Sequence, residues 1–253
     1  TASAVVSVPA ASKDFIYISC GTWSLFGTEL PAPCLDEKAL KHNFTNEGGV
    51  NHTIRFLKNI MGLWLIQESR RQWIREGFEV SYADLEREAL ACPAYRCFID
   101  PDDPAFDSPG NLPKRVQEYC KKTGQFVPQT RGEVMRCIYE SLAFKYRLTY
   151  EMLCDITGKK YSDIHLVGGG TKDTLLCRLT ADACNIRVTG GPVEATVTGN
   201  IAVALMALGE LSSIWQAREM IAASFEPVVY LPQPKKETED AYRRFLAAVQ
   251  KQP

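Results

Sequence analysis

The tightest group of residues able to do chemistry is Ser19-Cys20-Gly21-Thr22-Trp23-Ser24, a glycine at the joint between two β-rich stretches with hydroxyls on both sides. Where a strand pair bends at glycine, backbone N–H groups and a threonine hydroxyl can approach phosphate oxygens with no Cβ in the way. An ordinary hairpin glycine flanked by β-favouring Thr22 and Trp23 fits the same spacing. A second group is Gly168-Gly169-Gly170-Thr171-Lys172-Asp173, between an apolar stretch and a helical one. Glycines there let a phosphate or a flat ligand lie against the backbone at a helix amino terminus, where free N–H groups favour acceptor atoms. A tight strand-to-helix turn asks for glycine as well. The pattern is neither G-x-x-x-x-G-K-[ST] nor a complete G-x-G-x-x-G. Asn59 and Gln67, eight residues apart, could face one cleft from one side of a helix; a plain helix cap and a partly buried amide are the alternatives.

Nucleophilic and metal chemistry find less support. His165 sits within an apolar strand and reads as a core residue, while His42 and His52 are loop-like, and none has a Ser or Cys partner at a recognisable spacing. G-x-S-x-G is absent. The nine cysteines include no C-x-x-C pair and no Cys/His group at zinc spacing, so buried reduced thiols are expected. Cys92 with Cys97, or Cys120 with Cys137, could oxidise if the geometry allowed it.

The elements that must carry these residues follow from periodicity. Phe15–Cys20, Ser24–Leu30 and Thr53–Leu57 read as three strands, antiparallel by their short connections. Asn59 is expected to cap a helix from Ile60 to about Glu76, with Ile60, Leu63, Trp64, Gln67 and Ile74 on one face. The capping boxes Ser81-x-x-Asp84 and Thr130-x-x-Glu133 open helices to about Ala91 and from Arg131 to about Ile156, with another near Leu112–Lys122. The long helix spans roughly 40 Å at 1.5 Å per residue and is the expected spine. The Pro- and Asp-rich stretch Asp100–Pro113 reads as a loop.

Beyond Gly158 the pattern becomes strand Ile164–Val167, helix Lys172–Cys184, strand Ile186–Thr189 and helix Glu194–Leu208. Ser213-x-x-Gln216 opens a further helix, Val228–Leu231 is a short strand, and Glu237–Gln250 is a charged amphipathic helix. With a helical insertion at roughly 77–160 set aside, the order is β-β-β-α-β-α-β-α. That is the order of the ribonuclease-H-like half-domain shared by actin, Hsp70 and sugar kinases, an α/β fold with a mixed sheet.

Bulk properties exclude several classes. With 253 residues, 45% of them hydrophobic, the chain can bury a sizeable core as one domain, 1–253. Thirty acidic side chains balance 29 basic ones, and no basic stripe with interleaved aromatics suggests nucleic acid. Apolar runs fall far short of the roughly 20 residues that span a bilayer. TASAVVSVPA lacks the basic start and apolar core of a signal peptide, so a cytoplasmic location is expected.

Three stretches, YISCGTWSLFGTEL, FTNEGGVNHTIRFLKNIMGLWLIQESRRQW and LVGGGTKDTLLCRLTADACNIRVTGGPVEATVTGNIAVALMALG, resemble the carboxy-terminal half of FGGY-family sugar kinases, in particular those acting on L-rhamnulose. The resemblance runs from about Thr1 to Gly209. It implies ATP with Mg²⁺, with Gly21 and Thr22 at the phosphates, Gln67 on the nucleotide side, and Gly168, Gly169 and Gly170 as the adenosine-binding turn. It makes Asn59 and Thr1 sugar contacts. In that family a His-Asp pair directly precedes Thr-Ala-Ser-Ala-Val and its aspartate is the base. The resemblance therefore implies no catalytic base in this chain, an amino-terminal half of the same protein as partner, and no turnover alone. It also places Cys120 and Cys137 where some members have a bridge, and Cys184 where a bridge partner is replaced by Thr180. Another ketose such as L-fuculose or xylulose, a non-catalytic actin-like module, and an interaction domain using the Asp100–Pro113 loop and the terminal helix remain open.

Overall fold

β-Branched and aromatic side chains fill the opening of the chain and form the centre of a seven-stranded sheet. The computed structural model describes residues 2–233 and 235–250. The strands are β1 Ile16–Cys20, β2 Trp23–Leu30, β3 Thr45–Gly48, β4 Ile54–Met61, β5 Asp163–Val167, β6 Arg187–Gly190 and β7 Val228–Tyr230, ordered 3-4-2-1-5-6-7 across the sheet. β1 runs parallel to β5 and β5 to β6, and every other neighbour is antiparallel. The mixed sheet and the order of the elements read from sequence are as expected, with β3 added at the sheet edge.

Alternation along β1 divides the core between the two faces of the sheet, as a period of two requires. Ile16 and Ile18 join the main cluster, which also takes in Phe26, Phe56, Phe98, Phe144 and Phe245. Tyr17, with Phe15 and Val167, belongs to a smaller cluster against the short helix α1, Ala2–Val6. The helices that follow are α2 Glu37–Lys41, α3 Trp64–Arg75, α4 Tyr82–Leu90, α5 Leu112–Lys122, α6 Arg131–Thr157, α7 Thr174–Cys184, α8 Ala195–Ala207, α9 Ile214–Ser224 and α10 Lys236–Gln250.

Both expected capping boxes are present, Ser81 with Asp84 on α4 and Thr130 with Glu133 on α6. α6 ends at Gly158, whose φ of 66° lies in the left-handed region that closes a helix at low cost for glycine. Its side chains are buried along most of its 27 residues, and it packs against α4 and α7, which makes it the spine.

The structure overturns one expectation and refines the reading at two other places. Asn59 caps no helix: β4 continues to Met61 because it pairs with β2 along its whole length, Leu25 opposite Asn59 and Trp23 opposite Met61. The helix starts only after Gly62, where an added Cβ would meet Ser24 Oγ at 2.6 Å and Trp23 C at 2.8 Å. The buried face of α3 is accordingly Leu65, Ile66, Ser69 and Trp73, and Ile74 is exposed. The stretch from Asp100 to Pro113 is the expected loop up to the start of α5 at Leu112, tied down at a few points. Phe106 is wholly buried in a single 3-10 turn, Asp102 accepts from Met61 N at 2.9 Å, and Lys145 Nζ lies 2.7 Å from Asp100 and 2.9 Å from Asp102. Finally, α1, α2 and β3 were not read from the sequence: the two helices are single turns of five residues, too short to show a helical period, and β3 is Thr-Asn-Glu-Gly, with no apolar alternation.

Candidate functional site

Because β1 and β5 lie side by side and parallel, with Ser19 opposite Val167, the turns after them emerge at the same edge of the sheet. Ligands of open α/β sheets bind at such carboxyl ends. The β1–β2 turn is held by Gly21 N donating to Trp23 O at 2.8 Å. The start of α3 clasps it, since Leu63 N donates to Gly21 O and Gly62 and Trp64 N both donate to Thr22 O. This clasp brings Gln67, one turn into α3, against the hairpin tip, where Thr22 Oγ1 donates to Gln67 Oε1 at 3.5 Å.

The three glycines after β5 divide by function. Gly168 has φ of 90° and a virtual Cβ 3.0 Å from Cys20 O, and a Cβ on Gly170 would lie 2.2 Å from Cys20 Sγ. Both let the turn pack onto β1. Gly169 has nothing within 4 Å of its virtual Cβ, so its missing side chain leaves open space rather than satisfying a backbone contact. Burial pushes the Cys20 thiol up to about 11, which keeps it protonated and unreactive at neutral pH.

Two clefts meet over Gly21 and Gly169. The first, about 360 Å³, is lined by Leu63, Ile66, Gln67, Tyr82, Ala83 and Glu86, with Tyr139, Lys172 and Asp173 completing it. Its apolar walls and few polar groups suit a flat, partly polar ligand. Tyr139 Oη donates to Asp173 Oδ2 at 2.9 Å, and Asp173 also caps α7 by accepting from Leu176 N at 3.0 Å. Burial lifts the Asp173 carboxyl to about 6 against the pull of those hydrogen bonds.

The second cleft, about 380 Å³, is lined by Ala4 of α1, Trp23 and Leu25 of β2, Gly168, and Glu194, Ala195 and Thr196 at the start of α8. Unpaired N–H groups at the amino end of α8 favour anions there. Asn59 is exposed and lies opposite Leu25, so its side chain stands on the same face of the sheet as this cleft.

The structure therefore brings together Gly21, Thr22, Gln67, Gly168, Gly169 and Gly170. Asn59 does not share a helix face with Gln67, as its spacing suggested; it stands on β4. Thr1 lies outside the described residues. Tyr82, Glu86 and Tyr139 escaped sequence reasoning because they come from α4 and α6, with no common spacing, and Asp173, the last residue of the glycine-rich group, was not seen as their neighbour. His165 is a core residue as expected, though not the fully satisfied one its place in the strand suggested. Its Nδ1 has no hydrogen-bond partner among the described residues, and burial holds its pKa below the usual histidine range.

A mixed sheet with two parallel strands feeding glycine turns, clasped by a helix and continued by an apolar cleft, defines a domain of the ribonuclease-H-like fold. Residues 16–208 match the model of the FGGY family of carbohydrate kinases, C-terminal domain, and the chain belongs to that family. A rhamnulokinase of Bacteroides thetaiotaomicron is 42% identical over 249 residues, covering 98% of this chain and 50% of that protein. One from Enterococcus faecalis is 44% identical, covering 97% of this chain and 50% of its own length. The chain thus spans about half the length of the curated relatives it matches. Among solved structures, a ligand-bound xylulose kinase from Lactobacillus acidophilus superposes with a TM-score of 0.72 at 18% identity, over 98% of this chain and 49% of that one.

Proposed function

We propose that this chain, taken over 1–253 with residues 77–160 as a helical insertion, is the nucleotide-binding half of a kinase that transfers the γ-phosphoryl group of ATP to O1 of L-rhamnulose. The observation that carries the reading is identity above 40% to rhamnulokinases through a chain whose glycine turns frame both clefts. In it the base and ribose occupy the first cleft, stacked on Gly169 and flanked by Gln67. The phosphates cross Gly21 and Thr22 toward the second cleft and the start of α8. Asn59 and Thr1 face the ketose.

Phosphoryl transfer needs positioning and charge stabilisation more than covalent help from the protein. This chain supplies the Thr22 hydroxyl, the turn at Gly169 and the amino end of α8, while Gly21, whose own N–H holds the hairpin, keeps the phosphate path free of a side chain. The aspartate base comes from the amino-terminal half, and closing the two halves excludes water. Among the described residues no three carboxylates cluster closely enough to form a metal cage; Mg²⁺ would be held chiefly by the ATP phosphates and would supply charge neutralisation there. The reading places the protein in the cytoplasm, where ATP is supplied; among the described residues no helix is long and apolar enough to cross a membrane.

The test is ADP release with Mg-ATP by the chain joined to its amino-terminal half, across L-rhamnulose, L-fuculose, xylulose and ribulose. Strong selectivity for L-rhamnulose, and no turnover by the isolated chain, are expected. Preference for another ketose, or sugar phosphorylation by the isolated chain, would overturn the reading.

A further inference from the structure

A group of side chains outside both clefts remains without a role. Cys97, Cys120 and Cys137 come from three separate elements, the segment after α4, the third turn of α5 and the second turn of α6, yet their sulfur atoms all lie within 4.8 Å of one another. All three are buried, at 3%, 0% and 1% exposure. Of the pairings that sequence left open, Cys92 with Cys97 is not formed: Cys92 Sγ donates to Glu88 O, and Cys97 groups with Cys120 and Cys137. A bridge between Cys120 and Cys137 would use two of the three sulfurs and leave Cys97 unexplained.

The backbone around the cluster is fixed. Gln125 donates to Phe98 O and accepts from Phe98 N, its own N–H donates to Cys120 O, and Ser141 Oγ donates to Cys137 O while accepting from Ile99 N. Cys97 and Cys137 also line a small cavity of about 10 Å³, with Arg96 and Arg136 in its wall. That is room for about one water-sized ligand.

We propose that Cys97, Cys120 and Cys137 form a three-thiolate site for a thiophilic cation of the Zn²⁺ or Cu⁺ class. Zinc–sulfur bonds of about 2.3 Å put ligand sulfurs about 3.8–4.0 Å apart, a contraction of under about 1 Å from the observed spacing. Soft thiolate ligands select these ions over Mg²⁺ or Ca²⁺. Three thiolates around a divalent ion leave one net negative charge; in the cavity wall Arg96 and Arg136 are balanced by Glu133 and by Glu140, which pairs with Arg136, and the cavity offers the fourth coordination position to a solvent ligand. The ion would tie α5 and α6 to the segment that begins at Cys97.

The test titrates the reduced chain, kept under phosphine reductant without air, with Cd²⁺ as the spectroscopic probe and Zn²⁺ as competitor. One tight equivalent with thiolate-to-cadmium charge-transfer absorption, displaced by Zn²⁺, is expected. Cys97→Ala leaves Cys120 and Cys137 in place and should weaken binding by more than the roughly 10- to 100-fold that loss of an outer-shell partner costs. Replacing Cys34, Cys92 and Cys154 together by Ala should leave the tight equivalent intact. If Cys97→Ala does not fold, Cys137→Ala carries the same expectation. Absence of the band from the reduced chain, or a band that loss of a cluster sulfur leaves unchanged, would overturn the proposal.

Discussion

At the scale of single residues, the triple glycine shows how one motif can serve two purposes. Gly168 and Gly170 exist so that the turn can touch Cys20, and Gly169 exists so that nothing stands above it. Gly170→Ala should cost at least the roughly 1–3 kcal/mol typical of overpacking, read as a lower midpoint of thermal unfolding. Gly169→Val should leave the midpoint within about 0.5 kcal/mol, as at an open surface position, while reducing ADP affinity measured by calorimetry. Equal effects of the two substitutions on both readouts would contradict this division. Asp173 gives a pH signature. Its folded pKa of about 6 exceeds the ordinary carboxylate value of about 3.9, so between those pH values the folded state binds more protons than the unfolded one. Stability from this group is present below about pH 4 and is lost as pH rises through 6. Asp173→Asn keeps an acceptor for Leu176 N and cannot ionise. It should flatten that slope and stabilise the chain at pH 7 by up to about 3 kcal/mol, measured by urea unfolding at pH 5 and 7.

Among elements, the most exposed dependence is that of α1, whose five residues are too few to hold a helix alone. It is held by close approach to α8, where a Cβ on Gly199 would fall 1.7 Å from Ser3 O, and by Arg218 of α9, whose guanidinium donates to Val5 O at 3.3 Å and to Glu29 at 2.6 Å. Gly199→Ala gains about 1 kcal/mol of helix propensity, but a clash between backbone atoms cannot be relieved by a rotamer. The expected outcome is a lower unfolding midpoint with a smaller loss of ADP affinity than Gly169→Val causes, because α1 borders only the second cleft, which the phosphates approach, and not the first. A raised midpoint would show that α1 does not pack there. The same elements mark what the sequence could reveal. Long helices with capping boxes, such as α4 and α6, were legible to within a residue because local hydrogen bonds fix their starts. The end of β4 was not, since Asn59 carries a local cap signal that pairing with β2 overrides. Of the site, the glycine turns and Gln67 were visible as motifs, whereas Tyr139 and Asp173 meet only through tertiary packing.

Across the whole molecule, the first cleft takes its walls from the sheet turns at Gly21 and Gly169, from α3, and from α4 and α6 of the insertion. Those parts share one continuous core, in which Ile16, Ile18, Leu65, Leu85 and Tyr139 belong to the same cluster. The insertion and the sheet should therefore unfold together, and a ligand gripped between them should shift the whole transition. Binding to the folded state alone stabilises by about 2.7 kcal/mol at one hundred times the dissociation constant. At about 2–4 °C per kcal/mol for a chain of this size, ADP at that concentration should raise a single unfolding midpoint by about 5–10 °C, followed by differential scanning calorimetry. Gly169→Val should abolish most of the shift at the same ADP concentration. Two resolved transitions, only one of them moved by ADP, would instead mean that the helices between 77 and 160 fold as a unit of their own and that the cleft closes without them.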